Sequence, residues 1–68
     1  MKLASDELYL CPCCDSRTLG SLGGYEICEN CGWEDDPVQS LDPDYAGGAN
    51  HESLNSARRR WQERISAS

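Results

Sequence analysis

The clearest periodic signal lies near the C-terminus. Leu54, Ala57, Trp61 and Ile65 fall at i, i+3, i+7 and i+11, which is one apolar stripe on a helix. The spacing predicts a helix over residues 51–65 that packs through this stripe. Asn50 stands where an N-cap belongs, and Glu52 falls in the first turn, where the helix dipole favours an anion. Arg59, Arg60, Gln62 and Glu63 are then left facing water. Towards the N-terminus the period shortens to two. Glu7-Leu8-Tyr9-Leu10 reads as a short strand, and Thr18-Leu19 and Tyr25-Glu26-Ile27 read as two more. Leu8, Leu10, Leu19, Tyr25 and Ile27 are the apolar positions available to a small ribbon core. Glycine-rich residues 20–24 form the connection between the second and third strands.

Between the strands the pattern is interrupted by cysteine. Cys11, Cys14, Cys28 and Cys31 spell C-x2-C-x13-C-x2-C. A two-residue spacer brings both thiolates of a pair to adjacent corners of one tetrahedron, and the long spacer allows a hairpin that returns the second pair to the first. Four thiolates favour Zn²⁺ in a closed tetrahedral site; iron uses the same ligand set and is the alternative. Pro12 fixes its own φ and has no N–H to satisfy, so the N–H groups of Cys13 and Cys14 are free to point at the Cys11 sulfur. Asp15 and Gly32 occupy matching places after each pair, where such turns want a left-handed residue. Trp33 is placed to lid the metal.

The fifth cysteine, Cys13, is read as a bystander pointing out of the turn. A disulfide framework is disfavoured by the odd count and by a leader, residues 1–7, with neither apolar core nor cleavage site. The expected compartment is the reducing cytoplasm. Residues 1–6 are read as a loose lead-in, 7–33 as the metal ribbon, 34–50 as an acidic loop and 51–65 as the helix, all one domain.

Composition sharpens the dependence on metal. The chain of 68 residues has no Phe, two Trp and three Tyr, with six Gly and three Pro. A domain this short buries only about 60% of the surface its unfolded chain exposes and usually needs a staple. No apolar run approaches the length of a membrane span.

The formal net charge is −6, and the eight acids from Glu26 to Glu52 lie in a stretch without Lys or Arg. That argues against general binding to a phosphate backbone. Arg58, Arg59, Arg60 and Arg64 then arrive together and leave a local nucleic-acid contact as a weaker option. His51 is the only histidine and has no nucleophile at a meaningful spacing, so a catalytic constellation has no basis.

Taken together, Cys11-Pro12-Cys13-Cys14, Tyr25-Glu26-Ile27-Cys28, Cys31-Gly32-Trp33-Glu34-Asp35-Asp36, Asp42-Pro43-Asp44-Tyr45 and Gly47-Gly48-Ala49-Asn50 resemble the bacterial CPCC family of small cysteine-rich proteins. The resemblance runs from about residue 9 to 61. It implies a bacterial, cytoplasmic, single-domain protein and no established activity. Its cysteine turns are similar to those of zinc-ribbon and rubredoxin-like domains. The expected fold is therefore a small metal-stabilised α+β domain, a zinc-ribbon/rubredoxin-like β-hairpin with two cysteine turns and one C-terminal helix. The expected function is a structural-zinc module that meets a protein partner through Glu34, Asp35 and Asp36 or the arginine helix. A rubredoxin-like iron electron carrier is the alternative, a nucleic-acid-binding ribbon is weaker, and no enzyme activity is expected.

Overall fold

The computed structural model describes residues 7–67. The lead-in over residues 1–6 lies outside them. The first element, β1 (Tyr9–Leu10), pairs antiparallel with β2 (Arg17–Leu19). Tyr9 is opposite Leu19 and Leu10 opposite Arg17, with an irregularity between the two pairs. A short helix, α1 (Pro37–Leu41), and a longer one, α2 (Leu54–Ala67), complete the order. Among the described residues no helix is long and apolar enough to cross a membrane.

The strand pairing differs from the expected hairpin. Pairing runs across each cysteine turn, not across the long spacer between them. The first turn joins β1 to β2, and the second is closed by an isolated antiparallel bridge between Ile27 and Glu34. The physical reason is local. Each cysteine turn reverses the chain through a left-handed residue and delivers its own flanks side by side. The spacer instead closes on itself. The backbone N–H groups of Gly20 and Ser21 donate to the Glu26 carboxylate at 3.0 and 3.2 Å, and Tyr25 adopts φ 60°, which ends any extended run.

The core differs too. Leu19 is fully buried as expected, but Leu10, Tyr25 and Ile27 are about half exposed or more. A ribbon only two or three residues long covers one small patch. The interior is instead built from Cys11, Cys13, Cys28, Leu19, Trp33, Leu54 and Ala57, with Cys14, Cys31 and Trp61 packed at its edge. Sulfur therefore fills much of the space that Leu or Phe fills in a larger domain.

Helix α2 starts three residues later than expected and runs two residues further. Its cap is Ser53, whose Oγ accepts the N–H of Ser56 at 3.1 Å. Asn50 does not cap it. Its side chain accepts the N–H of Glu34 (2.9 Å) and donates to the Glu34 carbonyl (2.7 Å) and to Gln39 Oε1 (3.0 Å). The apolar stripe holds best at its N-terminal half: Leu54 and Ala57 are buried, Trp61 is half-buried, and Ile65 is 45% exposed. Arg58 Nε reaches across to the Pro12 carbonyl at 2.7 Å and fastens the helix to the first cysteine turn.

The acidic stretch is structure, not a free loop. Asp36 caps α1 through a 2.8 Å bond from Val38 N–H, followed by Pro37 at the first helical position. Its other oxygen accepts the N–H of Ala49 at 2.8 Å, and Asp35 accepts that of Gly23 at 2.7 Å. Both carboxylates are buried. Ala49, then Val38, hold the Asp36 carboxyl below its ordinary range by donating to the charged form. Behind them lies Gln39, fully buried, with every polar atom of its amide engaged: Nε2 donates to the carbonyls of Tyr45, Asn50 and Glu52, and Oε1 accepts from Asn50. Gly48 passes close against this hub. A Cβ there would stand 2.5 Å from Asp36 Oδ2 and 2.9 Å from Gln39 Cδ, so a larger residue has no room.

Candidate metal centre

The two cysteine turns are repeats of one backbone motif offset by 17 residues. In the first, Cys11 N–H donates to the Ser16 carbonyl and Asp15 N–H to the Cys11 carbonyl, both at 2.8 Å. In the second, Cys28 N–H donates to the Trp33 carbonyl and Gly32 N–H to the Cys28 carbonyl, both at 2.9 Å. The residue after each second cysteine is left-handed: Asp15 at φ 61° and Gly32 at φ 84°. The matching roles expected of these two residues are thus observed. Glycine suits that conformation without strain, and Asp is among the few other residues that tolerate it.

The turns face each other and bring the four sulfurs together. Sγ atoms of Cys11, Cys14, Cys28 and Cys31 all lie within 4.8 Å of one another. The edge between Cys11 and Cys31 is 3.6 Å, and that between Cys14 and Cys28 is 3.7 Å. A tetrahedron with metal–sulfur bonds of about 2.3 Å has edges of about 3.8 Å. These distances far exceed a disulfide bond of about 2.05 Å, and all five cysteines are free. The donor set therefore fits one metal ion. Among the described residues no other cluster of His, Cys, Asp and Glu has comparable geometry. His51 is exposed and stands outside it.

Hydrogen bonds to sulfur support the thiolate form. Cys28 Sγ accepts from Thr18 Oγ1 (3.0 Å), Asn30 N–H (3.3 Å) and Cys31 N–H (3.5 Å). Asn30 Nδ2 donates to Cys14 Sγ at 3.5 Å and to Ser16 Oγ at 3.0 Å, which links the two turns directly. Without an ion the sulfurs respond unequally. Burial pushes the Cys11 thiol well up, against the N–H groups of Cys14 and Cys13, which aim at this sulfur as expected. Burial likewise pushes Cys31 up to about 12. Burial also acts upward on Cys14, yet donors from Asn30 and Ser16 bring it down to about 6. Thr18 and Asn30 were not singled out by spacing. The one available hint was a hydrogen-bonding side chain inside the second C-x-x-C.

Cys13 is buried beside the cluster and is not one of the four convergent sulfurs. It points inward against Trp33 and α2, not outward as the spacing suggested, because its turn is capped by the helix. Burial raises its thiol, which suits a neutral packing group. Cys13→Ser is therefore expected to retain full metal stoichiometry with a modest loss of stability, whereas Cys14→Ser loses the metal. Metal content and the dispersion of amide resonances in both variants check this, and the reverse pattern would reassign the first pair.

Trp33 covers the cluster from the side of the second turn. It is 4% exposed, and its Nε1–H is buried without an acceptor among the described residues.

A small α+β chain with one short antiparallel ribbon and a four-cysteine cluster able to hold a metal is the class these features define. The family model described as Cysteine-rich CPCC matches residues 9–67, and the chain belongs to that family. A comparison with curated proteins finds no match.

Proposed function

We propose that this chain is a zinc-stabilised interaction module of the bacterial cytoplasm, with a zinc-ribbon-like centre and no catalytic turnover. The observation that carries the reading is the convergence of four thiols at tetrahedral edge lengths. Four protein ligands close the sphere and leave no position for a substrate or water, which is the mark of a structural site. A protein partner is supported by an apolar groove lined by Leu10, Pro12, Leu22, Pro37 and Leu41, with Leu41 88% exposed. Asp35 also lines this groove, but its carboxylate, like that of Asp36, is engaged by backbone N–H groups and offers little free charge to a partner. Nucleic-acid binding is the weaker reading: Arg58 is bonded to Pro12 and Arg60 is paired with Glu52.

A rubredoxin-like iron carrier is the second reading, favoured by the N–H and O–H donors on Cys28 and Cys14. Such donors to sulfur tune the potential of iron–thiolate centres. Elemental analysis and the visible spectrum of untagged protein separate the two. One zinc per chain in a colourless sample is the expected result. Stoichiometric iron with red absorbance that bleaches on reduction would replace the structural reading with the redox one.

A further inference from the structure

Between the second cysteine turn and α2 lies a cleft of about 350 Å³, within the range of small-ligand sites. Its walls are Trp33, Trp61, Cys13, Cys31, Arg60 and Arg64. Three observations distinguish it from the rest of this acidic molecule. Two guanidinium groups meet there against the single carboxylate of Glu52, which is paired with Arg60. The Trp61 ring carries the Arg64 guanidinium over it, 5.6 Å from ring centroid to guanidinium carbon, so an aromatic surface and a cation stand together. Trp33, which also lines the cleft, keeps a buried indole N–H without an acceptor, and such orphan donors are rare.

We propose that this cleft binds a small planar anion, an aromatic ring carrying a phosphate or carboxylate. The ring enters the cleft beside Trp61, on the part of that half-buried indole that Arg64 leaves open, and the anionic group takes the guanidinium groups of Arg60 and Arg64. The thiolate cluster behind Cys31 repels negative charge, so the anion belongs at the arginine rim and the ring belongs inside. Glu52 competes with the ligand for Arg60 and sets a modest affinity. This site is independent of the metal's identity and of any protein partner at the leucine-lined groove.

The test uses metal-loaded protein as purified and follows the two tryptophan indole N–H resonances and tryptophan fluorescence. The probes are adenosine 5′-monophosphate, 2-naphthoate and inorganic phosphate, so that phosphate and carboxylate sources are told apart. At least one ring-bearing probe is expected to shift both indole resonances with Kd at or below about 1 mM, and phosphate alone to bind about tenfold more weakly. Arg64→Gln is expected to weaken that binding about tenfold, since a charge-assisted bond is lost. Glu52→Gln should strengthen it by freeing Arg60, and Arg59→Gln, outside the cleft, should leave it unchanged. No indole shift with either ring-bearing probe up to about 5 mM overturns the proposal. So does binding that is indifferent to Arg64→Gln, or phosphate binding as tightly as the ringed probes.

Discussion

Stripping the metal from the loaded protein is expected to unfold it. Three of the seven buried core residues are cysteines, and the two largest fully buried apolar side chains, Leu19 and Leu54, belong to the same cluster as those cysteines. Backbone ordering alone opposes folding by roughly 1–2 kcal/mol per residue. A structural zinc site contributes on the order of 10–16 kcal/mol in comparable small domains, more than a core of this size supplies. Chelation should therefore collapse amide dispersion in one cooperative step. Acid should do the same. A metal holds its thiolates far below their ordinary proton affinity, so the stability they lend is present at neutral pH and is lost as pH falls and protons displace the ion. In the metal-free cluster, burial holds Cys11 and Cys31 in the thiol form, so loading releases protons and affinity rises with pH. Calorimetry in buffers of different ionisation enthalpy measures that release. An ion-free chain that keeps native dispersion would show that packing alone suffices.

The second large effect is expected at Gln39, outside the four-cysteine cluster. Gln39→Met keeps the volume but removes donors from the carbonyls of Tyr45, Asn50 and Glu52 and an acceptor from Asn50. Each buried partner left unpaired costs about 1–3 kcal/mol, and water will recover some of them. The net loss should be on the order of 3 kcal/mol. Denaturant unfolding of metal-loaded protein measures it. A loss below about 0.5 kcal/mol, typical of surface positions, would mean that the hub is ornamental. Because Asn50 also grips both backbone groups of Glu34, damage at Gln39 should reach the second cysteine turn through Asn50 and Glu34.

The contrast between these two effects shows what was legible in the sequence. The convergence of Cys11, Cys14, Cys28 and Cys31 was readable from spacing, because the requirement of a tetrahedron acts between residues three apart and leaves a local mark. The left-handed residues Asp15 and Gly32 were readable for the same reason. Gln39 was not. A polar side chain in a polar run carries no sign that the backbone will wrap it, and its partners lie 6 to 13 residues away. Asn50 misled because a good cap residue before a helix is ordinarily a cap, yet two distant backbone groups outbid it. Asp36-Pro37 did carry a helix-start signature, hidden inside the stretch 34–50 read as one acidic loop. The apolar residues of the ribbon misled in another way. Alternation marks a strand face, but Tyr25 and Ile27 have nothing large enough to lie against, since the cluster occupies the centre. Ile65, further along the stripe, is only partly covered.

The alternation of burial around the cluster has a kinetic consequence. Each turn contributes one enclosed sulfur, Cys11 or Cys28, and one half-open sulfur, Cys14 or Cys31. A metal held by these four sulfurs would have an inner edge and an outer edge, with only the outer one near solvent. An incoming chelator, a competing ion or an alkylating reagent must begin there. The residence time of such an ion would be governed by how readily Cys14 and Cys31 let go, with the enclosed pair, Cys11 and Cys28, the last to release it.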